Sequence, residues 1–174
     1  MKVSMILAPA LIAVLVGGAR PTLTPERGTP PASSVLVHVE EALEHGDFST
    51  ALRTADAAHR RATRDGRWEP LIEVGDAYYR IAGRTWAPEA ASRKAHDAYE
   101  AALRSARRAE SLDGVLRAAE AFAQLGDVHE VELSLHVARD LAGTDPEAVD
   151  DVKAAAGRLS DLLEAAGPEA RGNE

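Results

Sequence analysis

From Val35 onward, apolar and small residues recur every three to four positions, and glycines interrupt the run at helix-length intervals. That period turns one face of each segment toward a core and predicts α-helices throughout. The first helix runs from about Val35 to His45 and presents Val35, Val39 and Ala42 on one face. Gly46 supplies the left-handed residue that stops it, and Asp47 caps a second helix with Ala51, Ala55, Ala58 and Ala62 inside. Asp65-Gly66 ends that helix. A third spans about Glu69 to Ala82, carries Ile72, Gly75, Tyr78, Tyr79 and Ile81, and closes at Gly83. Pro88 and Glu89 suit the first turn of a fourth, which runs to about Arg108. It packs through Ala91, Ala95, Ala98, Tyr99, Ala102 and Leu103. The fifth, about Leu112 to Leu125, shows Val115, Ala119 and Phe122 at helical spacing. Asp127-Val128-His129-Glu130 fits a capping box for the sixth, with Val131, Leu135 and Ala138 inward and Gly143 at its end. Asp145-Pro146-Glu147 starts a seventh, which carries Val149, Val152, Ala156, Leu159, Leu162 and Leu163 and stops at Gly167-Pro168.

The turn glycines Gly46, Gly83 and Gly126 align neighbouring segments. Four residues before them stand Ala42, Tyr79 and Phe122. Five after the first and third come Ala51 and Val131, nine after come Ala55 and Leu135, and twelve after come Ala58 and Ala138. Glycine permits the tight turn, small residues let two helices approach, and the bulky residue fills the gap between hairpins. The middle unit departs from this register. Its Ala95, Tyr99 and Ala102 arrive about seven residues late, so Arg84 to Pro88 form an enlarged turn or an extra helical start.

This register resembles the tetratricopeptide repeat, a two-helix unit of about 34 residues. The resemblance covers about Ser33 to Gly143. The glycine spacings are 37 and 43 residues, and no unit carries the family's terminal proline, so the array is degenerate. The resemblance implies an all-α fold: a right-handed α-solenoid of about three helical hairpins plus a C-terminal capping helix. It also implies a non-catalytic protein–protein interaction module or scaffold, in which the first helix of each hairpin lines a groove for a partner peptide or helix. Carried over by position, the groove takes Leu36, Glu40 and Leu43, then Glu73, Ala77 and Arg80, then Arg117, Glu120 and Gln124. The alternative is a compact antiparallel bundle that binds a small ligand or metal in the cell envelope.

Composition changes this picture at the N-terminus. Met1-Lys2-Val3-Ser4, the apolar run Met5 to Val16 and the small residues Gly17-Gly18-Ala19 look like a secretory signal peptide over 1–19, or an uncleaved N-terminal anchor. The run is shorter than the roughly 20 residues of a membrane span, and Pro9 interrupts it. Residues 20–32 include Pro21, Pro25, Pro30 and Pro31 and read as an extended linker. The helical domain then occupies 33–166, and 167–174 form a disordered tail. The expected location is extracytoplasmic, periplasmic or secreted, with membrane contact only through an N-terminal anchor.

The 174-residue chain has no cysteine, which removes disulfides and thiol chemistry. Its net charge of −8 is uneven: Arg53 to Arg117 hold 13 basic and 10 acidic residues, whereas Ala118 to Glu174 hold 4 and 13. Arg53, Arg60, Arg64 and Arg67 fall near one helix face, with a second cluster at Arg104, Arg107 and Arg108, but interleaved acids and the exported start argue against nucleic acid. His38, Glu41 and His45, like His129 and His136, are spaced too widely for one ion, so neither metal nor cofactor is expected. No HExxH arrangement, phosphate loop or nucleophile elbow is present, and the reading is not an enzyme. Trp86, in the inserted turn, has two readings: an exposed contact or a cover for the widened gap between hairpins. Trp68 reads as core packing.

Overall fold

The computed structural model describes residues 33–166. The leader expected over 1–19, the linker expected over 20–32 and the tail expected over 167–174 lie outside the described residues. Seven helices account for nearly all of the described chain: α1 (Ser33–Glu44), α2 (Phe48–Asp65), α3 (Trp68–Ala82), α4 (Pro88–Arg108), α5 (Leu112–Gln124), α6 (Val128–Ala142) and α7 (Pro146–Ala166). The fold is all-α, and no described helix is long and apolar enough to cross a membrane.

Local chemistry sets the helix ends. Gly46 and Gly126 adopt φ of 71° and 74°, a conformation that side chains with a Cβ resist. The Gly46 amide donates to the Leu43 carbonyl at 3.0 Å and the Asp47 amide to the Ala42 carbonyl at 2.8 Å. After α5 the same pair recurs, Gly126 to Ala123 and Asp127 to Phe122, both at 3.0 Å. The carboxylates of Asp47 and Asp127 then accept the amides of Thr50 and Glu130, capping α2 and α6. A third copy of this turn ends α4 without glycine. There Glu110 takes φ of 51°, its amide donates to Arg107 at 3.1 Å, and Ser111 donates to Ala106 at 2.9 Å.

The middle turn differs. Gly83 has φ of −67°, so it is not left-handed, and residues 83–87 connect α3 to α4. The Ile81 carbonyl accepts both the Arg84 and the Thr85 amides, at 3.1 and 3.0 Å. The enlarged turn is therefore real, and α4 begins at Pro88 with no extra helical start before it.

Each of α2, α4 and α6 packs on the odd-numbered helix before it and on the one after it. The odd-numbered helices also pack on one another in order, α1 on α3, α3 on α5 and α5 on α7. The extensive pairings thus join helices at most two places apart along the chain. Alanine makes close approach routine: Ala51, Ala55, Ala95, Ala98, Ala102 and Ala119 are all fully or almost fully buried. Gly75 of α3 lies under the Tyr99 ring of α4, and a Cβ there would collide with it. Trp68 packs in turn against Gly114, where a Cβ would come within 2.8 Å of its ring.

Two expected core positions need correction. Tyr79, aligned with Phe122, is 39% exposed, and its neighbour Tyr78 is buried instead. The buried face of α3 follows Leu71, Val74, Tyr78 and Ile81. The next position along is turned by about 100°, which carries Tyr79 outward. Leu162 is also 40% exposed, because α7 buries Val152, Ala155 and Leu159 against α5 and α6 and leaves that side open.

Candidate partner-binding surface

Ion pairs tie the odd-numbered helices together in sequence. Glu40 of α1 accepts from Arg80 of α3 at 3.4 Å and pairs with Arg84, just past α3, at 2.6 Å. Asp76 of α3 accepts from Arg117 of α5 at 3.2 Å and from the Tyr99 hydroxyl at 2.9 Å. Arg117 also donates to Glu120 at 3.3 Å, and Glu120 lies 3.5 Å from Arg158 of α7. The participating arginines are between a third and two-thirds exposed, so each pair contributes at most about 1 kcal/mol. Their effect is to position helices and to balance charge.

Eight of the nine positions carried over from the repeat separate into three groups. Glu40, Arg80, Arg117 and Glu120 do belong to this ion-paired ladder. Gln124 is exposed, and Leu36 is half-buried against the core. Leu43 and Ala77 are corrected: they are 6% and 0% exposed, belong to the core, and offer a partner no surface. Their positions on α1 and α3 face the helices packed beside them, which the repeat register did not separate from the outer stripe.

Glu73 is a special case. It is half-buried on α3, and its Oε2 is sealed from solvent with no hydrogen-bond partner among the described residues. Burial, and then the neighbouring Asp76 and Glu69, push its carboxyl above the ordinary glutamate range. Trp86 is 91% exposed and does not fold back over the gap between hairpins. It stands two residues beyond Arg84, on a turn that Glu40 clamps from α1.

A second polar surface lies between α2 and α4, over the Tyr78 side chain of α3. A groove of about 570 Å³ is lined by Asp56, His59, Arg60 and Thr63 of α2, with Lys94 and Asp97 of α4 opposite. Asp56 accepts from the Tyr78 hydroxyl at 2.5 Å and from Lys94 at 2.6 Å, and the Lys94 ammonium sits 5.4 Å from the Tyr78 ring centre. Burial raises the Asp56 pKa, but the Lys94 and Tyr78 hydrogen bonds outweigh it and leave the group below its ordinary value. Burial also lowers the His59 pKa, and burial with the Asp56 contact raises that of Tyr78 above the ordinary phenol. Tyr78 is therefore a fixed hydrogen-bond donor. The sequence signal for this groove was the polar stripe Asp56, His59, Arg60, Thr63 and Arg64, at helical spacing beside the alanine stripe of α2.

Among the described residues, His96, Glu100 and Glu130 form a set of metal-ligating groups that converge. Two of the histidines singled out by sequence spacing have local contacts. His45 Nδ1 lies 2.7 Å from the Glu41 carbonyl, and His136 lies 3.7 Å from Asp140. No protein-family model and no curated protein matches this chain.

Proposed function

We propose that this chain is an exported, tetratricopeptide-like interaction scaffold that holds a protein or peptide partner without catalysing a reaction. The reading treats α1–α2, α3–α4 and α5–α6 as three hairpins of a right-handed solenoid, with α7 as the cap. Extensive pairing between helices one or two places apart supports it, as does the recurrence of one turn after α1 and α5. Export rests on the leader-like residues 1–19 alone.

The observation that carries the functional reading is Trp86. A fully solvated indole on a turn held by the Glu40–Arg84 pair is a large apolar contact presented in advance, and tryptophan is enriched at binding hot spots. Arg80 and Arg84 beside it supply charge for orientation. The partner face thus comprises Trp86, Arg80 and Glu40 at its centre, with Glu73, Arg117, Glu120 and Gln124 along the ladder.

Cross-linking in an envelope fraction, followed by binding measurement with the captured partner, tests this. Trp86→Ala is expected to weaken binding at least about 30-fold, the effect of losing about 2 kcal/mol at a hot spot. Arg80→Glu should weaken it, because it replaces the Arg80–Glu40 attraction with repulsion at the centre of this face. Equal binding by wild type and both variants would place the interaction elsewhere and remove the assigned surface.

A further inference from the structure

His96 lies on α4 with Glu100 one turn along, and Glu130 lies in the first turn of α6. One ligand atom from each falls within 4.8 Å of the others, and all three residues are half-buried. The i, i+4 spacing sets His96 and Glu100 on one helix face, within reach of a single ion.

The imidazole is held from two sides. Its ring meets the fully buried Phe122 ring edge-on at 5.5 Å, and Asp127 Oδ2 lies 3.2 Å from its Nε2. Asp127 holds Glu130 as well, since Oδ1 accepts the Glu130 amide at 3.1 Å. A full capping box would return the Glu130 side chain to the Asp127 amide. That amide donates to Phe122 instead, so the box is only half made. The Glu130 carboxylate consequently has no hydrogen bond or ion pair among the described residues. Three carboxylates, Glu100, Asp127 and Glu130, gather here; Arg104 lies 3.0 Å from Glu100, and Arg93 and Lys94 line a pocket beside His96.

One imidazole and two carboxylates, converging from two helices with the Asp127 carboxylate beside the ring, are ligand chemistry for a borderline-soft divalent ion. Metal bonds of about 2.0–2.2 Å need the three atoms to close by roughly 1–1.5 Å, within the range of glutamate side-chain rotation. We propose that His96, Glu100 and Glu130 bind one divalent transition ion of the zinc class, bridging α4 to α6. These two helices otherwise touch little, so the ion would fix the second hairpin against the third. The site stands whether or not Trp86 contacts a partner.

The metal-stripped full-length chain, titrated with Zn²⁺ by calorimetry and with Co²⁺ by visible absorption, tests the site. One ion per chain, cobalt d–d bands and a melting temperature raised by zinc are expected. Glu130→Gln and His96→Asn should each weaken binding at least tenfold. Asp127→Asn keeps a capping side chain and should weaken it about tenfold by removing a negative charge beside the imidazole. Glu132→Gln and His129→Asn, exposed on the same helix, should change it less than twofold. Glu130→Gln leaves the amide cap of α6 intact, so its result stands even if His96→Asn loses helicity. Absence of stoichiometric binding, wild-type affinity in Glu130→Gln, or loss of binding confined to His129→Asn would each overturn the proposal.

Discussion

Glu73 and Asp56 show how far one carboxylate's surroundings decide its behaviour. Asp56 has Lys94 and Tyr78 as donors, and its lowered pKa means that its stabilisation is present at neutral pH and fades in acid. Glu73 has the opposite sign. Its Oε2 is buried without a donor among the described residues, and its pKa is raised by burial, Asp76 and Glu69 in that order. A group whose folded pKa exceeds its unfolded one contributes stability that is complete below the unfolded value and lost as pH rises through the folded value. Ionising Glu73 therefore costs the fold stability as pH rises above the ordinary glutamate range. Glu73→Gln should raise the melting temperature at pH 7, and the advantage should vanish below the ordinary glutamate pKa of about 4.3. Melting temperatures that differ equally at both pH values would rule out an ionisation effect. Nothing in the sequence separated the two acids, because each is a helical carboxylate among charged neighbours.

Helix ends were the most legible feature of the chain, because caps and left-handed residues act within a few positions. Asp47, Gly46, Pro88, Asp127 and Gly126 all do locally what their chemistry predicts. The turn after α4 escaped notice since it has no glycine. Glu110 occupies the left-handed position at φ of 51°, exposed, with the hydrogen bonds that Gly46 and Gly126 make. A side chain there costs about 1–2 kcal/mol of steric strain, and glycine's greater unfolded-state freedom offsets about half of any relief. Glu110→Gly should therefore stabilise the protein by about 0.5–1 kcal/mol in urea denaturation. A loss of stability would mean that the Glu110 side chain makes a compensating contact. The interior was less legible than the ends. Alignment on Gly83 matched Tyr79 with Phe122, but Gly83 is not left-handed and the buried face of α3 runs through Tyr78 instead. The ion ladder and the His96–Glu130 convergence depend on which helices meet, and periodicity carries no such information.

How the helices meet also separates two descriptions of the molecule that share the same seven elements. In a closed bundle every helix shares one core, and loss of any of them unfolds the whole. In a stacked array, each helix leans on its near neighbours, and stability is a sum of local interfaces that can open from either end. Here α1 packs on α2 and α3, α7 packs on α5 and α6, and the most extensive pairing is that of α3 with α4. The largest fully buried side chains, Tyr78, Tyr99 and Phe122, lie on α3, α4 and α5. Native-state hydrogen exchange should therefore report the highest opening free energy for amides in the middle of α3, α4 and α5. Protection should fall toward α1 at one end and α7 at the other, with the two ends opening independently. A Trp86→Ala substitution, on a solvated side chain, should leave this gradient unchanged even where it abolishes partner binding. If α1 and α7 exchange only with the same opening free energy as α4, the seven helices form one cooperative unit. The stacked description would then give way to the bundle, and the groove assigned by repeat register would go with it.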